Sequence, residues 1–210
     1  MNKREFFDCL AEEWEAKYSS SEENNRLSNL VKLFPLQKGM SVLDMGCGSG
    51  HLIPHIQKKI GPQGLLVGAD FSQKMIVIGR SKFPSADVHL VQTDAHQAGI
   101  QSELFDLVLC VALFPHLDQK LNALREFNRL LKPQGQLIIA HSSGREMINS
   151  FHSQMDGVIN QDFIPEEKEM RRLLASAEFE ITDFIDQPSL YLVKAQAIKD
   201  KKQKYFYNSN

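Results

Sequence analysis

The sequence predicts an α/β domain in which a mostly parallel sheet carries helices on both faces. Three observations carry that expectation. Short apolar runs alternate with amphipathic stretches at least four times across residues 40–140, the rhythm of strand–helix–strand units. One run, LLVGA at residues 65–69, is apolar throughout, as a strand covered on both faces should be. Ser41, Val42, Leu43 and Asp44 run into three glycines at alternate positions, Gly46, Gly48 and Gly50, just before a helical pattern. A strand, a tight glycine turn and a helix N-terminus together form a ligand cradle.

The elements follow in order. Residues 3–18 place Phe6, Phe7, Leu10, Trp14 and Tyr18 near one helical face. Residues 19–25 read as a polar break, and Leu27, Leu30, Val31 and Phe34 mark a second helix ended by Pro35. These two helices either pad an edge of the sheet or close over a ligand as a lid. The first strand spans residues 40–44, and its helix runs to about Lys59, with Leu52, Ile53 and Ile56 inward and Pro54 near its start. The turn Gly61-Pro62-Gln63-Gly64 leads to strand 65–69, which stops at Asp70. Ser72 caps a helix carrying Met75, Ile76 and Ile78 up to Phe83-Pro84. Strands follow at 88–91 and 105–111, then a helix at 120–131 with Leu121, Leu124, Phe127, Leu130 and Leu131 on its apolar side. Pro133-Gln134-Gly135 turns into a fifth strand at 136–140. A last helix is expected at 163–175. Strands at 178–186 and 190–197, joined by Gln187-Pro188-Ser189, read as an antiparallel hairpin.

At 210 residues, 42% hydrophobic and 24% charged, the chain is expected to be one domain. It divides into N-terminal helices (1–36), a core (37–143), a segment ending in the hairpin (144–198) and a polar, basic tail (199–210). A net charge of −2 offers no basic field for nucleic acid. No apolar run is long enough to span a membrane, and the N-terminus lacks the apolar core of a signal peptide. Cys9, Cys47 and Cys110 have no metal-ligand spacing and are odd in number. Reduced thiols in a cytoplasm are therefore expected.

The glycine spacing narrows the ligand. Dinucleotide sites want a third glycine where this chain has His51. Asp44 at the strand end would repel a pyrophosphate but suit a cation. Asp70, 20 residues after Gly50, can accept two ribose hydroxyls, a placement that also fits nicotinamide dinucleotides. Asp94 follows the third strand, either as a ligand acceptor or as a plain helix cap. The run D-x-G-x-G-x-G at 44–50, with Asp70, Thr93-Asp94-Ala95, Phe105-Asp106 and Leu131-Lys132-Pro133-Gln134-Gly135, resembles the class I S-adenosylmethionine-dependent methyltransferases over residues 38–143.

The resemblance implies a Rossmann-like, doubly wound, seven-stranded sheet, mostly parallel with a C-terminal antiparallel hairpin. It implies S-adenosylmethionine as cofactor, held by Asp44, Gly46, Cys47, Gly48, Gly50, Asp70, Phe71, Met75, Asp94, Ala95 and Val111. Asp94 would take the adenine amino group, with Phe71 and Met75 as one wall of the ring site. The segment ALFPH at 112–116 departs from the N/D-P-P-Y/F of the family's nucleic-acid amino methylases, and no catalytic cysteine pair is evident. His116 after strand four and His141 after strand five are the expected catalytic residues, with His152 and Arg145 nearby. They would act as a base with an anchor, or as metal ligands; the first is preferred because no carboxylate of obvious ligand spacing accompanies them, so no metal site is assigned. The expected activity is methyl transfer to a small-molecule acceptor, with no nucleic acid or membrane partner. An RNA or protein methyltransferase and a non-catalytic cofactor-binding module are the alternatives, and the oligomeric state is left open.

Overall fold

A computed structural model describes residues 1–84, 87–155 and 157–199; most of the expected tail, 200–210, lies outside the described residues. Seven strands form one sheet in the order β3-β2-β1-β4-β5-β7-β6. They are β1 (Ser41–Met45), β2 (Leu65–Asp70), β3 (His89–Gln92), β4 (Phe105–Val111), β5 (Leu131–His141), β6 (Phe179–Gln187) and β7 (Leu190–Ala197). The first five run parallel to one another, and β7 pairs antiparallel with both β5 and β6. The chain order reverses between β1 and β4, the switch point at which open α/β sheets bind ligands beyond their carboxyl ends.

Alternation along the central strands makes two cores. Leu43, Met45, Val108 and Cys110 face one side, toward helices α5 (Lys120–Leu130) and α7 (Glu167–Ser176). Val42, Leu107, Leu109 and Ile138 face the other, toward α2 (Ser21–Val31), α3 (Ile53–Ile60) and α4 (Gln73–Lys82). This is the pleat's period of two applied to strands buried on both faces. Two further helices, α1 (Lys3–Tyr18) and α6 (Arg145–Ser153), lie at the carboxyl end of the sheet's strands through contacts described below.

Several expected boundaries move. The polar break shrinks to Ser19-Ser20, because the Ser20 side chain accepts the Glu23 amide and starts α2 at Ser21. The helix expected from residue 163 begins at Glu167, since Pro165 disfavours helical backbone at Ile164. The hairpin loop is only Pro188-Ser189, with Gln187 paired to Leu190. β5 includes residues 131–135, but they loop out of register: Phe105 pairs with Leu131 and Leu107 with Gln136.

That loop explains two sequence features. Asp106 Oδ2 accepts the Ser41 amide at 2.8 Å, and its Oδ1 lies 2.8 Å from Lys132 Nζ. One carboxylate thus ties the starts of β1 and β4 to the irregular turn of β5, far from the switch-point crevice. Asp106→Ala should lower stability by about 1–2 kcal/mol in denaturant titrations while leaving ligand affinity unchanged.

Candidate active site

The crevice is floored by the loop after β1. The Gly46 and Cys47 amides both donate to Ala69 O, at 2.7 and 3.0 Å, folding the loop onto the end of β2. The Gly48 amide donates to Asp70 Oδ2 at 2.9 Å, and Asp70 Oδ1 accepts the Ser72 amide at 2.8 Å. The three glycines then have different jobs. Gly46 has φ +78°, and a Cβ there would meet Leu113 at 2.9 Å. Gly48 has φ +54°, and its Cβ would enter open space bounded by Met75 Sδ at 3.8 Å. Gly50 has φ +86°, and its Cβ would strike Ile53 at 2.6 Å and Phe83 at 2.9 Å.

A cavity of about 190 Å³ opens over this loop. Asp44, Gly46, Cys47, Gly48, Asp70, Phe71, Met75, Asp94, Ala95, Val111 and His116 all line it. Two expected site residues do not. Gly50 packs between loop and helix, against Ile53 and Phe83. His141 is buried off the cavity wall, with its Nε2 unpartnered, and burial together with His116 and His152 pushes its pKa down to about 3. It stays neutral in the physiological range, and the structure does not bring it to the wall beside His116.

Asp44 is 1% exposed, and neither carboxylate oxygen has a hydrogen-bond partner. Burial first, and the Asp70 charge second, raise its pKa to about 7. A buried carboxylate without a donor is an acceptor for a cation or a proton. The Cys47 thiol beside it is pushed well up by burial and by the Asp44 and Asp70 charges, so it stays protonated. Across the crevice, Asp94 Oδ1 accepts the His96 amide at 2.8 Å and lies 2.6 Å from His96 Nδ1. The Gln97 amide returns to Asp94 O at 3.1 Å. Asp94 is therefore a turn-former as well as a wall residue.

α1 roofs the cavity with Phe7, Trp14 and Tyr18. The Phe7 ring lies 5.7 Å from Phe71 and 5.1 Å from His116, wedged between the two walls. Polar contacts hold the helix along the same face. Arg4 Nε donates to Phe71 O at 2.9 Å. Asp8 accepts from Ser72 Oγ at 2.5 Å and from the Lys74 amide at 3.1 Å, at the N-terminus of α4 where negative charge is favoured. Glu15 accepts from Ser49 Oγ at 2.5 Å and lies 2.9 Å from Lys82 Nζ and 3.0 Å from His51 Nε2. Burial alone would raise the Glu15 carboxyl, but the Ser49 and Lys82 hydrogen bonds and the nearby His51 bring it down to about 2. This latch is therefore complete above the ordinary carboxylate range and is lost only as pH falls toward 2. His51, where a dinucleotide site wants glycine, serves as a docking point for α1.

At the other end of the roof, His116 sits on a short 3-10 turn, Phe114–His116, after β4. Its Nδ1 lies 2.7 Å from Asp162 Oδ2. Lys3 Nζ, from α1, lies 2.6 Å from Asp162 Oδ1 and donates to His116 O at 3.0 Å. A carboxylate does accompany His116, one without the ligand spacing that the sequence was searched for. Asp162 escaped notice because it lies in the irregular segment between α6 and α7, with no spacing that relates it to a histidine 46 residues earlier. Among the described residues no group of three or more His, Cys, Asp or Glu side chains is arranged to hold a metal ion.

The sheet order, the glycine loop at its switch point and the acid closing β2 define the class I methyltransferase fold. Comparisons with known proteins agree. Residues 42–135 match the model of a methyltransferase domain. A demethylmenaquinone methyltransferase from Listeria welshimeri is 35% identical over 116 residues, 54% of this chain and 49% of that protein. The chain thus spans about half the length of the curated relatives it matches. Among solved structures, an S-adenosylmethionine-dependent methyltransferase from Aquifex aeolicus superposes with a TM-score of 0.67 at 21% identity, over 82% of this chain and 89% of that one. A chain of a Haloferax volcanii complex that contains the Trm112 methyltransferase activator gives 0.77 at 20% identity, over 92% and 98%. Residues 42–135 of this chain are thus similar to a methyltransferase domain, and the fold is the one that S-adenosylmethionine-dependent methyltransferases share.

Two measurements separate the roles of the glycines and of the roof. Gly48→Val should abolish binding of S-adenosylhomocysteine in a folded protein. Gly50→Ala should instead cost roughly 1–3 kcal/mol of stability and leave the affinity of the folded fraction intact; both are read by calorimetry and denaturant titration. Trp14 is the only tryptophan, so its emission should shift on cofactor binding. Glu15→Gln should speed proteolysis near residues 19–20 and reduce the cofactor's protection against it.

Proposed function

We propose that the protein transfers a methyl group from S-adenosylmethionine to a small-molecule acceptor, with His116 as the base that takes a proton from the acceptor. The observation that carries the cofactor assignment is Asp44: a buried carboxylate without a donor fits a cationic ligand, and a pyrophosphate would be repelled there. Asp70 and Gly48 fit the rest, since the glycine leaves open the space a side chain would fill. When bound, S-adenosylmethionine supplies a methyl group on a sulfonium that is already a good leaving group. The chain's own residues then have three tasks. Asp44 and Asp70 hold and orient; α1 excludes water; His116 receives the proton, if the acceptor carries one.

The roof favours a small acceptor over RNA or protein. A polymer would have to displace α1, which lies across the site with Phe7 between its walls. The name of the Listeria relative, which acts on demethylmenaquinone, points the same way. Burial lowers the His116 pKa below 6.5, the nearby His152 and Lys3 add to this, and Asp162 opposes it. The imidazole is therefore neutral and able to accept a proton at pH 7.

The test is direct. S-adenosylmethionine and S-adenosylhomocysteine should bind in calorimetry and NAD should not, and S-adenosylhomocysteine should accumulate when the protein is given S-adenosylmethionine and a metabolite extract. Binding without turnover would leave a cofactor-binding module; NAD binding in place of S-adenosylmethionine would overturn the assignment altogether. Asp44 gives a check with two opposite signs. Its folded pKa is raised from 3.8 to about 7, so its penalty is absent below the unfolded value and full once pH rises past 7. Asp44→Asn should make the ligand-free protein more stable at pH 8 and weaken S-adenosylmethionine binding roughly tenfold or more.

A further inference from the structure

Lys3 has three short contacts, and all three lie at the base of the proposed proton acceptor. Its Nζ lies 2.6 Å from Asp162 Oδ1 and 2.5 Å from Asp118 Oδ1, and donates to His116 O at 3.0 Å. An ammonium has three donors, so its capacity is used in full. The side chain is only 15% exposed. The other oxygen of Asp162 faces His116 Nδ1 at 2.7 Å. A carboxylate only accepts, so Nδ1 carries the hydrogen and the lone pair is left on Nε2.

Asp162 is itself held from two sides. Its backbone oxygen contacts His152 Nδ1. Asn149 pins the same segment by donating to Ile164 O at 2.9 Å and accepting the Ile164 amide at 2.8 Å. The turn that carries His116 is fixed as well, by Lys120 Nζ donating to Pro115 O at 3.1 Å and Leu117 O at 2.9 Å. α1 reaches this group through Lys3.

We propose that Lys3 and Asp162 are positioning residues, and that docking of α1 through Lys3 fixes the Asp162–His116 pair in the arrangement that leaves His116 Nε2 as the acceptor. The roof is then part of the proton-transfer machinery and not only a cover. The inference rests on His116 as the base, and its test has a readout that needs no acceptor.

The charged and titratable groups around His116 are Asp162, Lys3 from α1, His152 from α6, Asp118 and Lys120 from the following segment, and His141 from β5. Lys3 disfavours the imidazolium and Asp162 favours it. The two variants therefore move the His116 titration in opposite directions. Lys3→Met should raise it, and Asp162→Asn should lower it. Nitrogen-15 imidazole spectra of the protein bound to S-adenosylhomocysteine read this directly. They should show the Nδ1–H tautomer in the wild type and a mixture of tautomers in Asp162→Asn.

With a methylated acceptor in hand, Asp162→Asn should lower kcat roughly 10²-fold. The acid limb of the pH–rate profile should move in the same direction as the spectra. Calorimetry on S-adenosylhomocysteine should show affinity within about threefold of wild type for Asp162→Asn, which also certifies the fold. Shifts of the same sign in both variants, or a His116 that is the Nε2–H tautomer in the wild type, would overturn the proposal. If the spectra behave as stated but no acceptor is ever methylated, the positioning stands and the methyl-transfer reading is what fails.

Discussion

The Asp44 carboxylate lies at the carboxyl end of the central strand, sealed from water and without a donor for either oxygen. Raising its pKa from 3.8 to about 7 corresponds to a penalty on the order of 4 kcal/mol at alkaline pH, a large share of the stability of a domain this size. The surrounding structure accepts that cost. Hydrophobic residues flank the strand on both faces, the loop amides that could have quieted the charge donate to Ala69 and Asp70 instead, and the roof sets Phe7, Trp14 and Tyr18 over the cavity. A site that withholds every internal donor from a carboxylate is shaped for a cation brought from outside.

The sheet was legible because its signal is local. Alternation within a strand, an apolar run such as LLVGA and turn residues such as Pro133 and Gly135 each act over a few positions, and the seven-stranded sheet with its antiparallel hairpin followed from the resemblance they support. The cofactor loop was legible for the same reason, but the tasks of its glycines were not. Gly48 and Gly50 look alike in sequence, and only the tertiary position of Phe83 and Ile53 makes one of them a packing contact. His116 and His141 follow adjacent strands, β4 and β5, yet they do not share the cavity wall. Adjacent strands place backbones side by side, while burial decides whether a side chain reaches a cavity.

What could not be read is the polar docking of α1. Lys3, Arg4, Asp8 and Glu15 look like ordinary solvated charges on an amphipathic helix. Their partners across the fold lie 34 to 159 residues away in sequence, and no short-range pattern encodes such distances. The same holds for Asp162, whose segment has neither strand nor helix to give it a period.

The tip of the β6–β7 hairpin has a consequence of another kind. Gly144 packs so tightly beneath it that an added Cβ would sit 2.3 Å from Gln187 O, its amide donates to Pro188 O, and Arg145 meets Asp186 close by. The hairpin thereby anchors α6, and α6 carries the side chains that steady Asp162. The matched domain model ends at residue 135, before any of these parts. The domain match and the parts that steady Asp162 thus fall in different stretches of the chain. On the proposed reading, changes in the hairpin and α6 would reshape the acceptor side while residues 42–135 stay as they are.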